Sequence, residues 1–166
     1  MPKKIDKLNK KNYGAVTAAL TVGDVKAALS FYQKAFGFTK RNLMNGPDGK
    51  PIHAELRLRD TSLMLGPEIS QQGMRSPATL GGTPVNLYLI VENSDKVFAK
   101  AVKLGATALM PVSDCFWGDR AGMLRDPFGH CWFVATHAAD PTPAEMNKKM
   151  KQQMAPARDN LSGVPS

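Results

Sequence analysis

Hydrophobic residues alternate with small or polar ones from Ala15 to Val22, and the alternation then gives way to a helical period. Val25, Ala28, Leu29, Tyr32 and Phe36 recur at three- and four-residue spacing, which places them on one face of a predicted helix. Asp24 stands where an N-cap belongs, and Gly37 where a left-handed residue ends a helix. The same order returns later. Strand-like Pro84 to Val91 leads through Glu92-Asn93-Ser94 to a helical run with Val97, Phe98, Ala101 and Leu104, stopped by Gly105.

Three strand-like runs follow each helix: Phe38–Met44, Ile52–Arg59 and Ser62–Leu65 in the first half, then Thr107–Val112, Cys115–Arg125 and His130–Thr136. The repeat is βαβββ, with modules at about 14–66 and 83–137 joined by a Gly/Pro/Ser-containing linker. Two half-open units can close their cores by pairing, which predicts an α+β domain over 14–137. Its curved mixed sheets would enclose a cavity and its helices would lie outside. Thr142-Pro143-Ala144-Glu145 then reads as a capping box opening a short C-terminal helix. Met146, Met150 and Met154 form a stripe along it that needs the body or a partner chain to cover it. Residues 156–166, the end of the 138–166 segment, are expected to be disordered.

Composition narrows the class more than the fold. At 166 residues, with 43% hydrophobic and 22% charged, the chain suits one globular domain. No apolar run approaches the ~18 residues that cross a bilayer, and the lysine-rich start precedes no apolar signal core. Cys115 and Cys131 are too few and too far apart for a disulfide framework or zinc knuckle, so a reducing, cytoplasmic setting is expected. The net charge of +8 would suggest nucleic acid if it were spread over the body. Most of it sits at the ends, above all in the basic tail 1–13, where five lysines face Asp6. No basic stripe interleaved with aromatics exists for bases to stack on, so neither nucleic acid nor membrane is expected as a partner.

Strand alternation sorts the faces. Val16, Ala18, Leu20 and Val22 oppose Thr17, Ala19 and Thr21. Ala54, Leu56 and Leu58 oppose His53, Glu55 and Arg57, and Val85, Leu87, Leu89 and Val91 oppose Asn86, Tyr88 and Ile90. The apolar faces belong under the helices, and the polar faces then line the concave side. Asp126-Pro127-Phe128-Gly129 suits a type I turn with Gly129 in a bulge, which pairs Asp119 with His137 and Met123 with Phe133. Trp117, Asp119, Phe133 and His137 would then share the concave face. A plain two-residue turn would put Arg120 there instead and exclude Asp119.

With this repeat, the chain resembles the vicinal-oxygen-chelate superfamily, which includes glyoxalases, bleomycin-resistance proteins and dioxygenases, and in particular its PhnB-like, glyoxalase-like branch. The resemblance rests on Val22-Gly-Asp-Val25-Lys-Ala-Ala-Leu-Ser-Phe31-Tyr32 through Phe36-Gly-Phe38, on Phe116-Trp-Gly-Asp-Arg120, and on Asp126-Pro-Phe-Gly-His130-Cys-Trp132 with Ala135-Thr-His137. It implies paired modules around a ligand cavity and, by family habit, a homodimer. The four positions that carry metal ligands in metal-dependent members match Thr17, Met64, Asn86 and Phe133. Two neutral oxygens, a thioether and a phenyl ring make a poor set for a catalytic divalent ion, so no metal or other cofactor is expected. A substitute site from His53, Glu55 and His137 is conceivable as a two-histidine, one-carboxylate set.

The chemistry left to such a cavity is modest. Asp119 and Glu55 are the candidate acid–base groups, and Arg57 is a candidate anion clamp unless it simply pairs with Glu55 on the same face. Tyr88, Trp117 and Phe133 are candidate apolar walls, with Thr17, His53, Met64, Asn86 and His137 as further lining. No Ser-His-Asp arrangement is suggested by spacing, and neither cysteine has an evident activating base. Two functions remain: sequestration of a small ligand, anionic or neutral given the positive charge, or a metal-independent lyase or isomerase using Asp119 or Glu55.

Overall fold

A computed structural model describes residues 6–154. The first module runs β1 (Ala18–Val22), α1 (Val25–Phe36), β2 (Thr39–Asn45), β3 (Pro51–Leu58) and β4 (Thr61–Pro67). After the linker, which carries a short helix α2 (Pro77–Leu80), the second repeats the order: β5 (Asn86–Ile90), α3 (Ser94–Lys103), β6 (Thr107–Asp114), β7 (Asp119–Arg125) and β8 (Cys131–His137). A last helix, α4, spans Pro143–Met154. Each module is a four-stranded mixed sheet, ordered β1-β4-β3-β2 and β5-β8-β7-β6, in which the first strand runs parallel to the last. The sheets are curved but not closed.

The helix ends follow their chemistry. Asp24 accepts from the Ala27 amide at 2.9 Å, and Asn93 does the same for the Lys96 amide at 2.9 Å. Gly37 closes α1 at φ 81°, where a side chain would be strained. Between the layers a single apolar core spans both modules. Leu20, Val22, Leu56 and Leu65 contribute from the first sheet, and Leu124, Trp132 and Val134 from the second, with Tyr32 and Phe36 of α1 between them. Tyr32 and Phe36 both lie near Trp132, with ring centroids 5.5 and 4.9 Å away. α1 also packs on α3. The expected sorting of faces holds: Ala54 and Leu56 are fully buried, while His53, Glu55 and Arg57 emerge on the other side.

Several strand ends differ from the sequence reading. β1 and β5 start later than the alternation suggests, and Val16 and Val85 are 92% and 60% exposed because no neighbouring strand reaches them. The predicted Cys115–Arg125 strand is shorter, since Cys115–Gly118 forms a turn: the Gly118 amide donates to the Cys115 carbonyl at 3.1 Å. Gly118 has φ 102°, and a Cβ there would lie 2.1 Å from the Ala139 carbonyl oxygen, so the returning chain excludes any larger residue. The C-terminal helix forms with its box closed, as Glu145 accepts from the Thr142 amide at 2.8 Å. None of its residues is fully buried: Met146 and Met150 are half-buried and Met154 is exposed, so the body covers its methionine stripe only in part. The expected disorder of 156–166 falls outside the described residues. Within the expected basic tail, residues 12 and 13 lie against the first sheet.

Candidate functional site

The β7–β8 hairpin decides which side chains reach the concave face. The Gly129 amide donates to the Asp126 carbonyl at 3.1 Å, the Asp126 amide donates to the His130 carbonyl at 2.9 Å, and Gly129 sits at φ 92°. That is the type I turn with a glycine bulge, and it sets Asp119 opposite His137 and Met123 opposite Phe133. Arg120 turns to the other side. There it grips Asp95 of α3 through Nε and Nη2 at 2.7 and 2.8 Å, and Asp114 at 3.0 Å.

Asp119 is the centre of a polar cluster. Its carboxylate accepts from the Tyr88 hydroxyl at 2.7 Å, the Trp117 indole N–H at 3.1 Å and His137 Nδ1 at 2.9 Å. His137 Nε2 meets Asp140 at 3.1 Å. A ring with a carboxylate on each nitrogen satisfies both only as imidazolium, and hydrogen bonds to Asp119 and then Asp140 raise its pKa. Burial pushes the Asp119 carboxyl up, but the donated bonds from Tyr88, His137 and Trp117 outweigh it and hold its pKa below the usual value. Burial and the bond to Asp119 push the Tyr88 phenol up to about 12. Tyr88 stacks on Phe133 at 5.6 Å with 26° between the rings, and both Tyr88 (48% exposed) and Trp117 (37%) face solvent. Burial also raises the Cys115 thiol, which disfavours the nucleophilic thiolate.

A second cluster occupies the concave face of the first sheet. Glu55 accepts from the Tyr13 hydroxyl at 2.6 Å and lies 3.4 Å from His53 Nε2. The bond from Tyr13 lowers the Glu55 pKa. Arg57 does not pair with Glu55. It donates to the Asn12 carbonyl at 2.6 Å, to the Ser62 hydroxyl at 3.2 Å and to the Arg59 carbonyl at 3.0 Å. Met64 lies beside this group, opposite Glu55 and Ala19, and Thr17 precedes β1, half-buried. Asn86 is exposed, opposite Cys131.

The predicted residues therefore divide into two groups, one on each sheet. His53 and Glu55 sit on the first, whereas His137 belongs to the Asp119 cluster on the second, so the substitute metal set of His53, Glu55 and His137 is not assembled. Among the described residues no group of three or more His, Cys, Asp or Glu side chains is gathered to hold a metal. Phe133 is stacked on Tyr88, and Thr17, Met64 and Asn86 present weak donors, so the family's catalytic ion does not fit these residues. Between the sheets, a cleft of about 420 Å³ is lined in part by Val16, Ser62, Tyr88 and Ile90, with one residue of each cluster at its wall. Sequence reasoning missed Tyr13, Asn12, Arg41, Ser62 and Asp140. Alternation alone could have placed Ser62 beside Met64 on β4; the others are brought in only by the folded chain.

Residues 14–134 match the family model of the Glyoxalase/Bleomycin resistance protein/Dioxygenase superfamily. An uncharacterized protein of Mycobacterium tuberculosis is 39% identical over 142 residues, covering 84% of each chain. The structure of TioX from Micromonospora sp. ML1 superposes with a TM-score of 0.58 at 26% identity, over 75% of this chain and 99% of that one. A PhnB protein of Bacillus cereus gives 0.58 at 20% identity, over 74% and 99%, a likeness of fold. With the duplicated βαβββ topology, these matches establish that the chain belongs to the glyoxalase/bleomycin resistance protein/dioxygenase superfamily.

Proposed function

We propose that this protein holds a small organic ligand against its concave sheet faces without a metal and sequesters it rather than transforming it. The observation that carries the reading is the solvent-facing platform of Tyr88, Phe133 and Trp117, whose polar atoms are already fixed by Asp119. Aromatic walls with few, pre-oriented polar groups suit a small-molecule site, and the adjoining cleft falls within the usual size of one. The alternative, a metal-independent lyase or isomerase, is less favoured because donated bonds lower the pKa of both candidate bases and so weaken them as proton acceptors. Asp119 accepts from three side chains, and Glu55 accepts from Tyr13. A general base works best with a pKa near the operating pH, and a carboxylate held below its ordinary value lies far from it.

The reading extends to a homodimer, since the body covers the methionine stripe of α4 only in part and leaves Met154 exposed, and to a reducing, cytoplasmic setting in which Cys115 and Cys131 stay free. Among the described residues no helix is long and apolar enough to cross a membrane.

The test is native mass spectrometry of the purified protein combined with Trp117 fluorescence across a panel of neutral and anionic aromatic compounds. A retained compound, recovered unchanged, that quenches the wild type but not Trp117→Phe supports sequestration. Consumption of the compound would favour the lyase or isomerase, and the absence of any retained or quenching compound would overturn the binding reading.

A further inference from the structure

Three donors on the first sheet converge on one neutral oxygen. The Asn12 carbonyl accepts from Arg57 Nη1 at 2.6 Å, from the Ser62 hydroxyl at 2.6 Å and from Arg41 Nη1 at 3.3 Å. The side-chain oxygen of the same residue, Oδ1, accepts from Arg41 Nη2 at 2.7 Å. These groups are positioned by the sheet. Ser62 is directly opposite Arg57 across the β3–β4 ladder, and it is 2% exposed. Arg41 is the extra residue of a bulge in β2, where the register slips between Lys40 and Asn42, and bulges commonly re-aim a side chain in this way.

The arrangement has an electrostatic mismatch. Two guanidinium groups share an acceptor that carries no formal charge, and among the described residues neither forms a salt bridge with a carboxylate. Glu55, the carboxylate nearest in the ladder, is turned to Tyr13 and His53 instead. Guanidinium forks bind a carboxylate with two short, charge-assisted bonds, stronger than those to an amide oxygen. Asn12 offers two oxygens where such a ligand would offer two oxygens and a full negative charge.

We propose that Arg57, Ser62 and Arg41 form a binding subsite for the carboxylate of a small molecule, and that Asn12 of the chain's own N-terminal segment occupies this subsite as a displaceable strap. The strap is held at two adjacent residues. Beyond Asn12, its described side-chain contacts with the sheet are the Tyr13–Glu55 bond and Arg41 over the Tyr13 ring at 6.0 Å. Being tethered, Asn12 raises the concentration that a free ligand must reach, and an anion must overcome that advantage. The inference rests on the small-molecule reading above and names the chemistry of the ligand's polar end.

The experiment is calorimetric titration of the full chain with benzoate, with benzamide as the neutral isostere and inorganic phosphate as the second anion, accompanied by limited trypsin digestion. The strap carries Lys7, Lys10 and Lys11, so its release is read as faster cleavage there. Benzoate should bind, benzamide should not, and benzoate should speed cleavage in the strap. Arg57→Gln should weaken benzoate by about tenfold or more, as the loss of a charge-assisted contact implies. Tyr13→Phe should strengthen it by loosening the strap, and Asn12→Asp, which supplies a tethered carboxylate, should suppress it while slowing cleavage. Equal binding of benzoate and benzamide, or benzoate binding untouched by Arg57→Gln and without effect on cleavage, would overturn the subsite yet leave quenching at Trp117 intact. Displacement of the strap by phosphate but not by benzoate would overturn the carboxylate assignment, as would no benzoate binding to either wild type or Tyr13→Phe.

Discussion

The Tyr32 phenol on α1 donates a 2.6 Å hydrogen bond to Oδ2 of Asp126, a residue 94 positions away at the hairpin of the second module. Asp126 is 4% exposed and also accepts from the Trp132 indole at 2.9 Å and from the amides of Phe128 and His130 at 2.9 and 3.0 Å. One buried carboxylate thus shapes the β7–β8 turn and fastens the first module's helix to the second module's sheet. Burial, followed by the charge and hydrogen bond of Asp126, pushes the Tyr32 pKa well up, so the phenol remains a donor.

Removing that donor should destabilise the whole domain rather than one module. Tyr32→Phe keeps the ring among Phe36, Phe128 and Trp132 and deletes one bond to a charged acceptor, a loss of about 1.5–3 kcal/mol. Asp126→Ala strands four donors in the interior and should cost more than the tyrosine change. Urea unfolding should show a lower midpoint with an unchanged slope in both, and a separate transition for each module would contradict the shared core.

The Asp119–His137 pair predicts a pH window. The Asp119 pKa is lowered in the fold, so its contribution is present above the ordinary carboxyl value of about 3.9 and is lost as pH falls through the lowered one. The His137 pKa is raised, so its contribution is complete below about 6.5 and is lost as pH rises through the raised one. The pair should therefore stabilise most between those ordinary values. An NMR titration should find His137 titrating above a free histidine, and Asp119→Asn should bring it back down. An unshifted His137 would sink the assignment.

Asp119 and Arg120 should separate by effect, though they are neighbours. Asp119→Asn replaces an acceptor of three side-chain bonds with an amide that cannot satisfy all three donors; it should weaken ligand quenching at Trp117 and also lower stability by about 1–3 kcal/mol. Arg120→Gln loses solvent-exposed ion pairs to Asp95 and Asp114, so it should cost little stability and should leave quenching unchanged. Thermal melts beside quenching titrations measure both, and a loss of quenching in Arg120→Gln would contradict the hairpin register.

Divalent metal should not bind in stoichiometric amount. Elemental analysis is expected to find well under one zinc, nickel, iron or manganese per chain, and added metal should not raise Tm. A value near one per chain would mean that side chains other than the four family positions supply ligands.

Assembly can be checked through α4. Sedimentation at micromolar concentration should give a dimer, and Met146→Gln with Met150→Gln should shift it toward monomer if the stripe is the contact. A wild-type monomer would remove the dimer from the reading.

Residue order along the chain was enough to determine the duplicated βαβββ plan, because periods of two and 3.6, a cap such as Asp24 and a stop such as Gly37 act within a few residues. It favoured the Asp119–His137 register over the plain two-residue turn, since Gly129 at the fourth position of a Pro-containing turn suits a bulged hairpin, and the backbone hydrogen bonds of the folded turn decided between them. Where strands end was not local: Val16 and Val85 continue the alternation, but no neighbouring strand pairs with them, and the Cys115–Gly118 turn depends on residue 139 crossing over it. The tertiary structure alone decided the site's partners. Asn12 and Tyr13 read as basic tail until they meet Arg57 and Glu55, 45 and 42 residues downstream. Likewise the conceivable grouping of His137 with His53 and Glu55 was ruled out only when the fold placed them on different sheets. Side-chain partners far apart in sequence are set by packing and by the satisfaction of buried polar groups, which no local pattern encodes.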